Sequence, residues 1–175
     1  EPLKPITLKD RGEILRIRGR SHCVRLPKHV AERQARSAEE LIRREGVCRD
    51  ISIELEWYPR DKDPHLGPGS GIVLWAETSG NAILEYDSLG ARGKPAEKVG
   101  EEAAKGLIKQ IRNGGAVDVH HTDQLILFMA LARGTGTASP KSLYAPEFLT
   151  TIFQPSGKPC MRRYSLTDSG LSLQG

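Results

Sequence analysis

Ile51-Ser52-Ile53-Glu54-Leu55-Glu56-Trp57 alternates apolar and polar residues without a break. Successive side chains of a strand point to opposite faces, so this period of two predicts a strand with one face turned to a core. Upstream, Glu13-Ile14-Leu15-Arg16-Ile17-Arg18-Gly19 alternates over its second half and predicts another strand. Between the two, Pro27 opens a helix, since proline is tolerated in a first turn. Val30, Gln34, Ala38, Leu41 and Ile42 share one stripe of that helix, with Arg33, Arg36, Glu40 and Arg43 outside it. Gly46 is its expected C-terminal cap. Downstream of Trp57, the proline- and glycine-rich stretch from Pro59 to Gly71 predicts a loop long enough to be mobile or functional. Ile72 to Thr78 is expected as a buried strand, Ser79-Gly80-Asn81 as a hairpin turn, and Ala82 to Tyr86 as the returning strand. Ser88-Leu89-Gly90-Ala91-Arg92-Gly93-Lys94 lacks the Walker spacing of a phosphate loop and is expected as a turn with two exposed basic residues. Pro95 opens the best-defined helix: Val99, Ala103, Leu107 and Ile111 repeat every four residues, Lys98, Glu101, Glu102, Lys105 and Lys109 form its wet face, and Asn113-Gly114-Gly115 stops it. This order predicts an α+β architecture, helices packed on one face of a mixed sheet.

At 175 residues the chain is one domain or two small ones, long enough to bury a sizeable core. Its net charge of +4 and pI near 9.1 are compatible with a polyanionic partner without requiring one. No apolar stretch is long enough to span a bilayer, so no membrane partner is expected. The opening Glu1-Pro2-Leu3-Lys4-Pro5 does not resemble a signal peptide and reads as a linker or edge segment of something longer. A cytoplasmic protein is the expectation. Cys23, Cys48 and Cys160 are far apart and form no Cys-x-x-Cys pair, so free thiols are expected, with neither a disulfide framework nor a metal site.

The candidate site is Asp118-Val119-His120-His121-Thr122-Asp123-Gln124-Leu125, followed at once by Ile126-Leu127-Phe128-Met129-Ala130-Leu131-Ala132. An apolar run without a polar face predicts a helix buried on all sides. The polar cluster would then sit at its start, where free N–H groups and the positive dipole end suit an anion or a nucleotide. The competing reading is a capped core helix whose histidines are satisfied structurally. His22, His29 and His65 are expected on the surface. Arg33, Arg36, Arg43, Arg44 and Arg49 are expected to be a solvated helix face rather than an RNA track, because only Trp57 and Tyr58 supply aromatics near them. Leu143 to Phe153 suits a strand or a short helix, and Met161 to Leu166 a strand.

Several blocks, in order, resemble the C-terminal half of RNA 3'-terminal phosphate cyclases. They are Arg11-Gly12-Glu13-Ile14, Leu26-Pro27-Lys28-His29-Val30-Ala31-Glu32-Arg33, Gly71-Ile72-Val73-Leu74-Trp75-Ala76-Glu77-Thr78, Ser88 through Gly100, and Ala116-Val117-Asp118 through Gln124-Leu125. The resemblance is expected from about Leu3 to Ala132. It implies an ATP-dependent ligase that converts a 3'-phosphate end of RNA to a 2',3'-cyclic phosphate through enzyme-AMP and RNA-adenylate intermediates, with ATP and Mg2+ as cofactors. It implies a thioredoxin-like insert domain at 22–115, between a large-domain segment at 1–21 and a return to the third large-domain unit at 116–175. That third unit resembles the C-terminal domain of translation initiation factor three, and two N-terminal units of the large domain are expected upstream. It implies that His120, His121, Thr122, Asp123 and Gln124 line the adenylate pocket, with the ring at 120 stacking on adenine. The sequence departs from the family pattern at Val119 and His121. The nucleophilic histidine of the family falls in a His-x-x-Thr segment after the buried helix. Here Ser142 to Thr151 holds no histidine, so no catalytic residue is carried over and the chain alone is expected to be inactive. The alternative is a catalytically silent, cyclase-like scaffold that binds RNA or protein.

Overall fold

The structure is a computed structural model. It describes residues 10–59, 61–118 and 121, together with short strands at 7–8, 137–138, 152–153, 159–160, 163–167 and 170–174. The chain forms two compact units, residues 12–112 and residues 1–11 with 113–175.

In chain order the first strand, β1 (Thr7–Leu8), belongs to the second unit. The 12–112 unit follows as β2 (Ile14–Val24), α1 (His29–Glu45), β3 (Ile51–Trp57), β4 (Gly69–Thr78), β5 (Ile83–Leu89) and α2 (Ala96–Asn113), which runs one residue past it. The sheet order is β3-β2-β4-β5. β2 and β3 are parallel, joined by the α1 crossover, whereas β4 is antiparallel to both β2 and β5. The expected α+β layering of helices on a mixed sheet is what forms. β2 runs unbroken through residues 21 and 22, where the large-domain segment was expected to give way to the insert.

Both helices bury their apolar stripes against one face of the sheet. α1 contributes Ala31, Ala35, Ala38, Leu41 and Ile42; α2 contributes Val99, Ala103, Ala104, Leu107, Ile108 and Ile111. All of these except Ala31 and Ala35 form one cluster with Ile17 of β2, Ile72, Leu74 and Ala76 of β4, and Leu84 of β5. Each fully enclosed Ile or Leu contributes roughly 1.5–3 kcal/mol relative to exposure. Val30, expected on the α1 stripe, is only half-buried, and Ala31 and Ala35 take its place. Gly46 ends α1 in the left-handed conformation at φ 66°, its N–H donating to Arg43 O at 3.2 Å. Asn81 (φ 59°) turns the β4–β5 hairpin.

α1 and α2 run side by side at close range. A Cβ on Gly100 would lie 2.1 Å from Gln34 O, so the missing side chain sets the helix spacing. Arg33 bridges to Glu97 at 2.5 Å and Arg112 to Glu45 at 2.7 Å along the same seam. The arginines expected on a solvated face are exposed as read.

Two expectations are corrected. β5 continues through Ser88 and Leu89, which were expected in the following turn. Lys94, expected to be an exposed turn lysine, is instead drawn in: its Nζ donates to Ser88 Oγ at 3.2 Å and Leu89 O at 3.1 Å and pairs with Glu102. A polar Ser88 is tolerated under α2 because it hydrogen-bonds both Lys94 and Glu102.

In the second unit β1 pairs in parallel with β6 (Thr137–Ala138), β7 (Ile152–Phe153) is antiparallel to β8 (Pro159–Cys160), and β9 (Arg163–Thr167) forms a hairpin with β10 (Gly170–Gln174). The expected Met161–Leu166 strand corresponds to β9. The helix expected over residues 125–132 lies outside the described residues. No helix among the described residues is long and apolar enough to cross a membrane.

Candidate functional site

After α2 the backbone turns at Gly114, φ 73°, and enters a buried stretch, Gly115 to Asp118. An apolar pair, Ala116 and Val117, anchors it. The Asp118 side chain is fully enclosed, yet it is a carboxylate, and burying one requires strong hydrogen-bond partners. His121 supplies two. Its backbone N–H donates to Asp118 Oδ1 at 2.8 Å, and its Nδ1 lies 2.7 Å from Asp118 Oδ2. A side-chain oxygen accepting from the N–H three residues on is the geometry of a helix N-cap. The turn beginning at Asp118 is therefore a helix start, and His121 is helical.

The second contact fixes the imidazole. A carboxylate only accepts, so Nδ1 carries the proton and the neutral ring has its acceptor lone pair on Nε2. About half of the His121 side chain is exposed. The result is an aromatic face of set orientation on a capped helical position. Such a ring can stack on a planar group.

Of the expected pocket residues, the structure places His121. His120, Thr122, Asp123 and Gln124 lie outside the described residues. Asp118 opens the candidate stretch in the sequence but was not among the expected pocket walls, although it is the residue that caps His121. The signal that could have found it is an aspartate three residues ahead of a helical position.

A second polar cluster was also missed. Asp63, in the loop after β3, has a side chain almost without exposure and accepts from Arg25 N at 2.5 Å, His65 N at 2.9 Å and His65 Nδ1 at 2.8 Å. Burial pushes its carboxyl up, but these hydrogen bonds outweigh burial and hold it below the usual aspartate value. Arg25 reaches φ 50° to make its contact, and its guanidinium also donates to His65 O. His65, expected as a plain surface residue, is thereby part of a clasp that ties the β3–β4 loop to the β2–α1 loop, with its ring 5.3 Å from that of Tyr58. His29 is exposed as expected, and His22 is half-buried. A groove of about 410 Å³ opens between β5 and α2 over Tyr86 and Gly106. Its lysines, Lys105 and Lys109, are balanced by Asp87 and Glu102, and no expected site residue lines it. Among the described residues no group of three His, Cys, Asp or Glu side chains could hold a metal ion.

Residues 9–112 match the family model of the RNA 3'-terminal phosphate cyclase insert domain. An RNA 3'-terminal phosphate cyclase of Ignicoccus hospitalis is 57% identical over 125 residues, 71% of this chain and 35% of that protein. One of Hyperthermus butylicus is 56% identical over 132 residues, 75% of this chain and 36% of its own. One of Staphylothermus marinus is 52% identical over 160 residues, 89% of this chain and 44% of its own. The chain thus spans between a third and a half of the length of these curated relatives. A match covering 89% of the chain must run past Ala132, so the similarity reaches further downstream than the sequence blocks indicated.

Proposed function

The chain belongs to the RNA 3'-terminal phosphate cyclase family, and on that premise we propose that it is part of an ATP-dependent enzyme that closes RNA 3'-phosphate ends to 2',3'-cyclic phosphates. The observation that carries this is the identity of 52–57% to proteins named for that activity. The chemistry is activation. A phosphate oxygen leaves poorly, whereas AMP joined to the terminal phosphate, with pyrophosphate released from ATP, leaves readily when the neighbouring 2'-hydroxyl attacks phosphorus. In this reading enzyme-AMP precedes RNA-adenylate, and the protein's task is to position groups and stabilise spreading charge.

His120, His121, Thr122, Asp123 and Gln124 are proposed to wall the adenylate pocket. The capped turn suits that role: Asp118 holds the His121 ring in one orientation beside a helix start. A nucleotide would find a stacking face there and N–H groups for a phosphate oxygen. Magnesium would arrive with the triphosphate and neutralise its charge. The parts of a cyclase that lie in the rest of its length would supply the remaining ATP and RNA surface.

The sequence holds no histidine after His121, which favours a second reading, a catalytically silent scaffold that binds RNA or protein. One experiment addresses both. The purified chain is mixed with α-labelled ATP and Mg2+, then with RNA bearing a 3'-phosphate. AMP should bind reversibly, with no acid-labile, base-resistant protein label and no cyclised RNA. Robust covalent labelling would overturn the inactivity of the chain alone. Absence of AMP binding at millimolar concentration, or binding unchanged by His120→Ala and His121→Ala, would overturn the pocket.

A further inference from the structure

β3 closes one side of the sheet, and among the described residues no strand pairs with its outer edge. Soluble proteins normally guard such an edge with charged side chains, lysine above all, with proline or with a bulge. Over its seven residues β3 has no lysine, proline or bulge, and its only charges are Glu54 and Glu56. Its helix-side face is also incompletely covered: Ile51 and Ile53 are half-buried, but Leu55 is 42% and Trp57 38% exposed. The alternation that marks β3 in the sequence therefore outruns the core it faces.

The opposite face of the same strand is acidic. Glu54 and Glu56 have side-chain exposures of 69% and 41%, and both reach inward to one cation, Arg20 of β2, at 3.1 and 3.9 Å. Charge already alternates across these strands, Arg18 with Asp50 and Arg20 with Glu54. Opposite charges on adjacent strands attract and like charges repel, so the next strand outward should carry cations on that face.

We propose that the outer edge of β3 docks an extended segment of a partner protein, in which basic and apolar residues alternate, as a fifth strand of the sheet. Its backbone pairs with the free edge of Ile51–Trp57. Its basic residues meet Glu54 and Glu56, and its apolar residues cover Leu55 and Trp57, with Trp57 the anchor. A second copy of β3 fits poorly. Antiparallel self-pairing about Leu55 sets Glu54 against Glu56 twice, and pairing about Glu54 sets that carboxylate against its twin. RNA fits poorly for the same reason, since the edge is anionic.

The test uses the whole 175-residue chain and a fluorescein-labelled peptide alternating lysine with valine. A peptide with glutamate for lysine, and one of the same composition with its valines grouped together, serve as controls. Saturable binding of the alternating peptide is expected, with amide-exchange protection gained at residues 51–57. Both controls should bind at least tenfold more weakly. Glu54→Lys with Glu56→Lys should weaken binding at least tenfold, and Trp57→Ala severalfold, at a temperature where circular dichroism shows each variant folded. Equal binding of the glutamate or grouped peptide, protection elsewhere, or indifference to the variants overturns the proposal. So does a concentration-dependent dimer in sedimentation that Trp57→Ala dissolves, which would make the occupant a second copy, or saturable binding of an RNA oligonucleotide at this edge.

Discussion

Gly100→Ala should destabilise the 12–112 unit, although helix propensity alone says the opposite. Alanine in a helix interior is better than glycine by about 1 kcal/mol. At position 100, however, the new Cβ would sit 2.1 Å from Gln34 O, 3.0 Å from Gln34 C and 3.1 Å from Ala38 N. All three obstacles are backbone atoms of α1, so no side chain can rotate away. Reaching ordinary contact requires α1 and α2 to part by about 1 Å, and a gap of that size forfeits a quarter to a half of each dispersion well along the seam. Overpacking of this kind costs about 1–3 kcal/mol, and a backbone obstacle belongs at the upper end. After the propensity gain the net loss is about 2 kcal/mol. With an m-value of about 1.5–2 kcal/mol/M for a unit of this size, the urea midpoint falls by about 1 M. Tryptophan fluorescence is the right assay, since Trp57 and Trp75 are the two tryptophans of the sequence and both lie in this unit. A midpoint that stays or rises would refute the argument that backbone approach at Gly100 sets the helix spacing.

Gln34 is fully buried, and its Nε2 has no hydrogen-bond partner among the described residues, while its Oε1 lies 3.0 Å from Ser21 Oγ. Gln34→Met keeps the volume, and Ser21 keeps its bond to Ala31 O at 2.9 Å, so the urea midpoint should shift by less than the equivalent of about 1 kcal/mol. Gln34→Ala leaves a cavity and should cost about 2 kcal/mol or more. The Asp63 carboxylate titrates below its unfolded value, so its stabilisation is fully present above that unfolded value and is lost as pH falls through the folded one. Thermal melts between pH 7 and pH 2 should therefore fall on the acid side, with a smaller fall in Asp63→Asn; an unchanged fall would remove Asp63 as a contributor. Burial pushes the Cys23 thiol up, and its side chain is enclosed, whereas Cys48 is partly exposed. A thiol reagent on the native chain should modify Cys48 long before Cys23, as peptide mass spectrometry after timed quenching would report. Asp118→Ala removes an N-cap and frees the His121 ring, so amide protection at 121 should drop by the equivalent of about 1 kcal/mol, and AMP affinity should drop severalfold.

The sequence made some elements legible and hid others for definite reasons. The α1 and α2 stripes and the Gly46 and Gly114 stops follow from periodicity and from the conformational freedom of glycine, and both survive in the structure. β2 was expected only to Gly19, yet it runs to Val24. The alternation does continue through Gly19, Ser21 and Cys23, but Gly19 and Ser21 carry no apolar signal and Cys23 alone is too little to extend the pattern. Gly19 is small because a Cβ would meet Leu74 at 2.6 Å, and Ser21 is polar because it bonds to α1. Close packing thus replaced the hydrophobic residues by which a strand is usually recognised. The 59–71 loop was read from its prolines and glycines, and its anchor escaped notice because Asp63 before Pro64 looks like ordinary turn chemistry. Only tertiary contact with Arg25 shows otherwise.

The same logic separates what positions the candidate site from what would act in it. From the sequence, the cluster at 118–124 was notable for the number of its polar groups. Among the described residues of that cluster, Asp118 is enclosed and His121 half-exposed, so the carboxylate is the less available to a ligand. Asp118 cannot touch a nucleotide from full enclosure, yet through two contacts it fixes where a helix starts and how an imidazole faces. A pocket wall needs such a residue beneath it, because a ring free to rotate would lose conformational entropy on binding that a clamped ring has already given up on folding. Sequence periodicity describes faces, and the buried helix it predicts over 125–132 lies outside the described residues. It could not rank the polar groups by depth, and the depth of Asp118 against the half-exposed His121 is what makes His121 the one proposed to contact a ligand.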